Sequence, residues 1–157
     1  MQFVISVLAD WMLAPIGLIA AYMLFWRVKG EYRYDKYTHI FMAGITSYLF
    51  AKIIAQIWQP SGLRPFELLG TQAGASYLNN PGFPSDHALF AAFLTLAVWY
   101  ATRSKLATGI MIVLTLGLCV GRVLALVHTP LDIAGGIAVA LLGGVWYLAY
   151  AKKPVSR

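Results

Sequence analysis

Charge is scarce in this sequence of 157 residues: Asp, Glu, Lys and Arg make up 11% of it, against roughly 25% in soluble domains. So little charge cannot cover an ordinary water-facing surface. Acidic residues are scarcer than basic ones, six against twelve, which leaves a net charge of +6. The single cysteine, Cys119, lies in an apolar run. It excludes an intramolecular disulfide and reads as small apolar filler. Cysteines, histidines and carboxylates nowhere stand at metal-ligand spacing, so no metal and no other cofactor is expected. A basic n-region before the first apolar stretch is also missing, which argues against a cleavable signal peptide. The length suits one domain, taken as residues 1–157.

What is abundant is apolar. Hydrophobic residues make up 60% of the chain, and a membrane-spanning helix needs about 20 of them in succession. Five segments meet or approach this: Phe3 to Trp26, Thr38 to Trp58, Ser85 to Ala101, Leu106 to Leu126, and Pro130 to Ala151. The expected fold is therefore all-α, a polytopic membrane bundle of five transmembrane helices. In the last segment, small residues recur at Gly136, Ala140 and Gly144, with Gly135 and Gly143 beside them. That spacing permits close helix packing, here expected within the bundle rather than between copies. The oligomeric state stays open.

The basic residues do not form the stripe that nucleic acid would need. Arg27, Lys29, Arg33 and Lys36 lie in one connection, Arg103 and Lys105 in another, and Lys152, Lys153 and Arg157 in the tail. These connections alternate onto one side, which the positive-inside rule makes cytoplasmic. The N-terminus, the Gln59–Pro84 loop and the short turn at His128 then face outward, in a cell inner or plasma membrane. The long loop is rich in Gly, Pro, Asn and Ser, and reads as part lid and part substrate entrance.

Ionisable groups at membrane depth are costly, and each calls for a reason. Three sets stand out in chain order: Arg64-Pro65-Phe66, with Lys52 upstream; Pro84-Ser85-Asp86-His87; and Arg122, His128 and Asp132, spaced Arg-x5-His-x3-Asp. The topology brings all three to the outward face. Arg64 and Arg122 offer planar forks suited to phosphate oxygens. The starts of the third and fifth spans offer free N–H groups for an anion. One histidine can attack phosphorus while the other works as acid and base. An aspartate beside the first would fix its tautomer.

Arg-Pro, Pro-Ser-x-His and Arg-x5-His-x3-Asp, in this order, resemble the type 2 phosphatidic acid phosphatase family over roughly Lys52 to Asp132. The resemblance implies metal-independent hydrolysis through a phosphohistidine. It gives the nucleophile role to His128, its partner to Asp132, the general acid to His87, and phosphate binding to Arg64, Ser85 and Arg122. Two features depart from the family pattern. The lysine usual seven positions before the first-motif arginine is replaced by Ile57, and Lys52 takes the role only if Ser61-Gly62-Leu63 is an insertion. Family members also commonly have six spans. Short length, the Pro-Ser-Asp-His form and the outward site resemble the undecaprenyl-diphosphate phosphatase branch, which serves cell-wall biosynthesis. Phosphatidate or phosphatidylglycerophosphate hydrolysis, lipid phosphotransfer and non-catalytic lipid binding are the alternatives. The partners implied are a lipid substrate and the phospholipid bilayer.

Blander readings compete at several positions. His39 reads as a structural residue at the cytoplasmic end. Ser85 reads as a helix cap as well as a phosphate ligand. Asp132 fits a capping arrangement with Thr129 and Pro130, although its spacing from His128 favours chemistry. Asp86 reads as a capping residue, and Glu67, Asn79 and Asn80 as loop surface.

Overall fold

A computed structural model describes residues 2–80 and 82–150. Among them the regular structure is helical, as expected, with no strand. The first span comprises α1 (Gln2–Ser6), a π-helical turn at Val7–Trp11, and α2 (Leu13–Trp26). A 3-10 turn at Gly30–Tyr32 leads into α3 (Arg33–Ile57), which begins five residues before the expected start. The loop that follows α3 carries the short α4 (Pro65–Leu68). Then follow α5 (Asp86–Thr102), α6 (Lys105–Leu124), α7 (Pro130–Gly143) and α8 (Val145–Tyr150). The last span is thus broken at Gly144, and its expected end at Ala151, like the basic tail, lies outside the described residues.

Four stretches are long and apolar enough to cross a bilayer: Gln2–Trp26, Gly30–Ile57, Lys105–Leu124 and Pro130–Leu148. The 17-residue α5 is shorter, and its position explains why. It packs against α2, α3, α6 and α7 and buries nine of its residues. A helix surrounded by helices need not present a full lipid-facing surface. Exposed large apolar residues lie mostly on its neighbours, such as Leu18, Phe41 and Val113, with Phe90 the one on α5 itself. The interior holds Ile16, Ala88, Val98, Met111 and Leu118.

The small residues of α7 set its distance from α5 and α3. A Cβ at Gly136 would lie 2.5 Å from the Ser85 carbonyl oxygen, and one at Gly143 would strike Ser47 and the Ala43 carbonyl. Gly135 lies against the Phe83 ring. The expected packing within the bundle is therefore observed, although Gly144 approaches mainly its own helix.

The two ends of the bundle differ in chemistry. At one end Lys36 donates to the Ala101 carbonyl (2.6 Å), near Arg103, and the Arg33 guanidinium donates to Val28. His39 belongs to this end, its Nδ1 donating to the Asp35 carbonyl, in keeping with a structural role. At the other end lie the loop that carries α4 and the motif residues.

Candidate active site

Local rules place each motif side chain. Ser85 caps α5, its hydroxyl accepting from the Ala88 amide at 3.5 Å, and its own amide donates to the Asp132 carbonyl at 2.9 Å. The second bond ties the start of α5 to the start of α7. Thr129 caps α7 through a reciprocal pair: its hydroxyl accepts from the Asp132 amide (3.2 Å), and Asp132 Oδ2 accepts from the Thr129 amide (2.7 Å). Between α6 and α7 the chain turns through Leu126, whose φ of +59° is left-handed. That conformation costs a non-glycine residue about 1–2 kcal/mol. It brings the His128 amide back onto the Arg122 carbonyl at 3.4 Å.

The result is a buried cluster. Arg64, Ser85, Arg122, His128 and Asp132 are each less than a tenth exposed. His128 Nδ1 lies 3.5 Å from Asp132 Oδ2, near enough for charge interaction but without the geometry of a hydrogen bond. Asp132 therefore caps its helix and faces the histidine at once. With Nδ1 toward Asp132, Nε2 is the nitrogen left for chemistry. Burial holds the His128 imidazole below its ordinary pKa, against the opposing pull of Asp132. The charged form of the ring is thereby disfavoured. His87, half-buried near the start of α5, lies within electrostatic range of Arg122 and His128.

Arg64 is held largely by protein carbonyls around the loop that carries α4. Its Nη1 donates to Val127 O (2.6 Å), and its Nη2 to Leu78 O, Asn80 O and Asn80 Oδ1 (3.0–3.1 Å). Its amide donates to Glu67 (2.6 Å), closing the cap of α4. Glu67 and Asn80 are thus not idle loop surface: both fix the arginine. A cleft of 390 Å³ lined by Gln59, Arg64, Tyr77, Asn80, Gly82 and Asp132 opens beside it. The histidines are not part of its wall. Gly82 closes over the cluster, where a Cβ would lie 3.5 Å from Asp132 Oδ2.

Lys52 stands apart from this group. Its Nζ donates to both oxygens of Asp86, at 3.0 and 3.1 Å, in a pair whose side chains are 37% and 39% exposed. Asp86 is accordingly an ion-pair partner, while Ser85 supplies the cap. Arg122 Nη1 donates to Asp10 Oδ1 (3.1 Å) and Ser76 O (2.8 Å). Neither partner was singled out for the site from the sequence. Asp10 did carry a signal, as a carboxylate inside an apolar span. Among the described residues no group of three or more His, Cys, Asp or Glu is gathered for a metal.

No curated protein and no solved structure matches the chain. A family model described as the PAP2 superfamily matches residues 36–155, which contain every motif residue named above. With well over half of its length matched, this chain belongs to the PAP2 superfamily, whose members are phosphatases.

Proposed function

We propose that the chain removes phosphate from a membrane lipid through a phosphohistidine on His128, and that its substrate is an isoprenoid diphosphate such as undecaprenyl diphosphate. The carrying observation is His128, buried with Nδ1 toward Asp132 and set between Arg122 and the Arg64-bound Val127 carbonyl. In this reading His128 Nε2 attacks the terminal phosphorus. The P–O bond to the leaving group breaks, and His87 gives that oxygen a proton. Water then attacks the phosphohistidine, His87 takes the water proton, the P–N bond to His128 breaks, and phosphate leaves with the imidazole restored. Arg64, Arg122 and the α5 start at Ser85 stabilise the equatorial oxygens. A phosphotransferase would run the same first step with a lipid acceptor in place of water.

The basic segments at the opposite end support an extracytoplasmic site in a plasma membrane. An apolar groove between α3 and α5 supports a lipid substrate. It has a volume of 750 Å³ and is lined by residues including Phe41, Ile45, Tyr48, Leu89 and Phe93. One end of it reaches the start of α5: the Leu89 amide bonds the carbonyl of Ser85, a member of the buried cluster. A tail lying there would carry its headgroup toward α5.

The test is phosphate release by purified protein in detergent from a panel of lipid mono- and diphosphates. Isoprenoid diphosphate is expected to turn over faster than phosphatidate at matched surface concentration; a wide preference for phosphatidate would assign the chain to phosphatidate hydrolysis. Ile45→Trp, which fills the groove from the lipid side, should raise KM several-fold for a long-chain diphosphate. A short-chain diphosphate should be unaffected, and an equal effect on both would remove the groove from the reading.

Lys52 has a role here through Asp86, whose charge beside a phosphate would repel it. Lys52→Met should slow turnover about tenfold, equivalent to roughly 1.4 kcal/mol of transition-state stabilisation. Near-normal kinetics in the folded variant would show that the two arginines suffice.

A further inference from the structure

We infer that Asp10, which lies outside the family-matched residues 36–155, is a positioning residue that sets the Arg122 guanidinium for phosphate. This rests on the phosphatase reading above and adds to it a residue of the first span.

Four hydrogen bonds among Arg122, Asp10 and Ser76 form a closed ring. Arg122 Nη1 donates to Asp10 Oδ1 (3.1 Å) and to the Ser76 carbonyl (2.8 Å), while Asp10 accepts from the Ser76 amide (3.1 Å) and hydroxyl (2.8 Å). Both hydrogens of Nη1 are thereby used. Arg122 is 1% exposed, and its Nε is buried without a partner among the described residues. A buried, unpaired N–H on a permanent cation is costly, and guanidinium binds phosphate through two parallel N–H groups on one edge. The ring holds the Nη1 corner and leaves the Nε edge for the anion.

The local structure is shaped for this contact. Asp10 sits in the π-helical turn Val7–Trp11, a form that recurs at functional sites because it re-aims side chains within a helix. The turn presses on Gly121, where a Cβ would lie 2.6 Å from the Ala9 amide nitrogen and 2.7 Å from the Leu8 carbonyl carbon. Only glycine permits that approach, and Gly121 immediately precedes Arg122. Backbone contact and carboxylate contact therefore act at one point.

A double-mutant cycle tests the assignment. Asp10→Ala is expected to lower kcat about tenfold with KM changed less than twofold, and Asp10→Asn, which retains an acceptor for Nη1, to recover part of the loss. In an Arg122→Lys background, Asp10→Ala should cost little further, because its effect passes through the guanidinium. Equal cost in both backgrounds, or unchanged kcat, would overturn the inference. If Asp10→Ala does not fold, the near-isosteric Asp10→Asn carries the same cycle. The cycle is repeated on binding of orthovanadate, a phosphate mimic. Coupling there in a protein that turns over no lipid would refute the phosphatase reading and leave the Asp10 assignment standing. Turnover with additive effects would do the reverse.

Discussion

His128→Ala is expected to abolish turnover and to leave the protein unlabelled by any phosphorylated substrate. The two histidines should fail differently, because the proposed mechanism has them act at different atoms. Without His128 no P–N bond can form, and the loss covers the whole reaction. Without His87 the nucleophile remains, but the leaving oxygen receives no proton and the attacking water loses its base. A lipid diphosphate departs as a phosphate monoester, a fairly good leaving group, whereas phosphatidate must expel a poor alkoxide. His87→Ala should therefore keep more of its first step on the diphosphate. Its second step should be slow for both lipids. With terminally labelled lipid diphosphate, the His87 variant should accumulate acid-labile, base-stable label on protein, and the His128 variant none. Persistent label in His128→Ala would move the nucleophile elsewhere. Equal first-step losses on both lipids in His87→Ala would remove its assignment as the acid.

Gly136→Val should be nearly as damaging, although Gly136 performs no chemistry. Even the Cβ of alanine would lie 2.5 Å from the Ser85 carbonyl oxygen and 3.0 Å from the Leu89 amide nitrogen. Backbone atoms cannot rotate away as a side chain can, so α5 and α7 must separate. Overpacking of this kind costs about 1–3 kcal/mol. The separation falls where Ser85 donates to Asp132, so Ser85 and His87 would move relative to His128. A lowered unfolding temperature in detergent and at least a tenfold loss of phosphate release are expected. Gly109→Val is the control, because no atom outside its own helix lies within 4 Å. Wild-type stability in Gly136→Val would contradict the close approach of the two helices.

The spans and motif residues could be read from the sequence because apolar surroundings make each polar residue conspicuous. Arg64, Ser85, Arg122, His128 and Asp132 needed only a topology to be brought together. What escaped depended on pairings that no spacing encodes. Asp10 meets Arg122 across 112 positions, through a π turn that no residue pattern announces. Asn80 and Glu67 resembled polar loop surface until the Arg64 guanidinium and amide were located beside them. Asp86 had the position of a capping residue, yet the hydroxyl before it took that role and freed the carboxylate for Lys52.

The short, enclosed α5 also bears on how the chain enters a membrane in the first place. A 17-residue helix rises about 26 Å, less than the roughly 30 Å hydrocarbon thickness, and this one starts with Ser85, Asp86 and His87. Alone in lipid it is a poor candidate for stable insertion. Only Arg103 and Ser104 separate it from α6, which is long and apolar enough to cross. The two form a helical hairpin, and insertion of the first arm is expected to depend on the second. Biogenesis of the catalytic end then depends on α6 being synthesised, and a nascent chain halted before Leu124 would leave α5 poorly anchored.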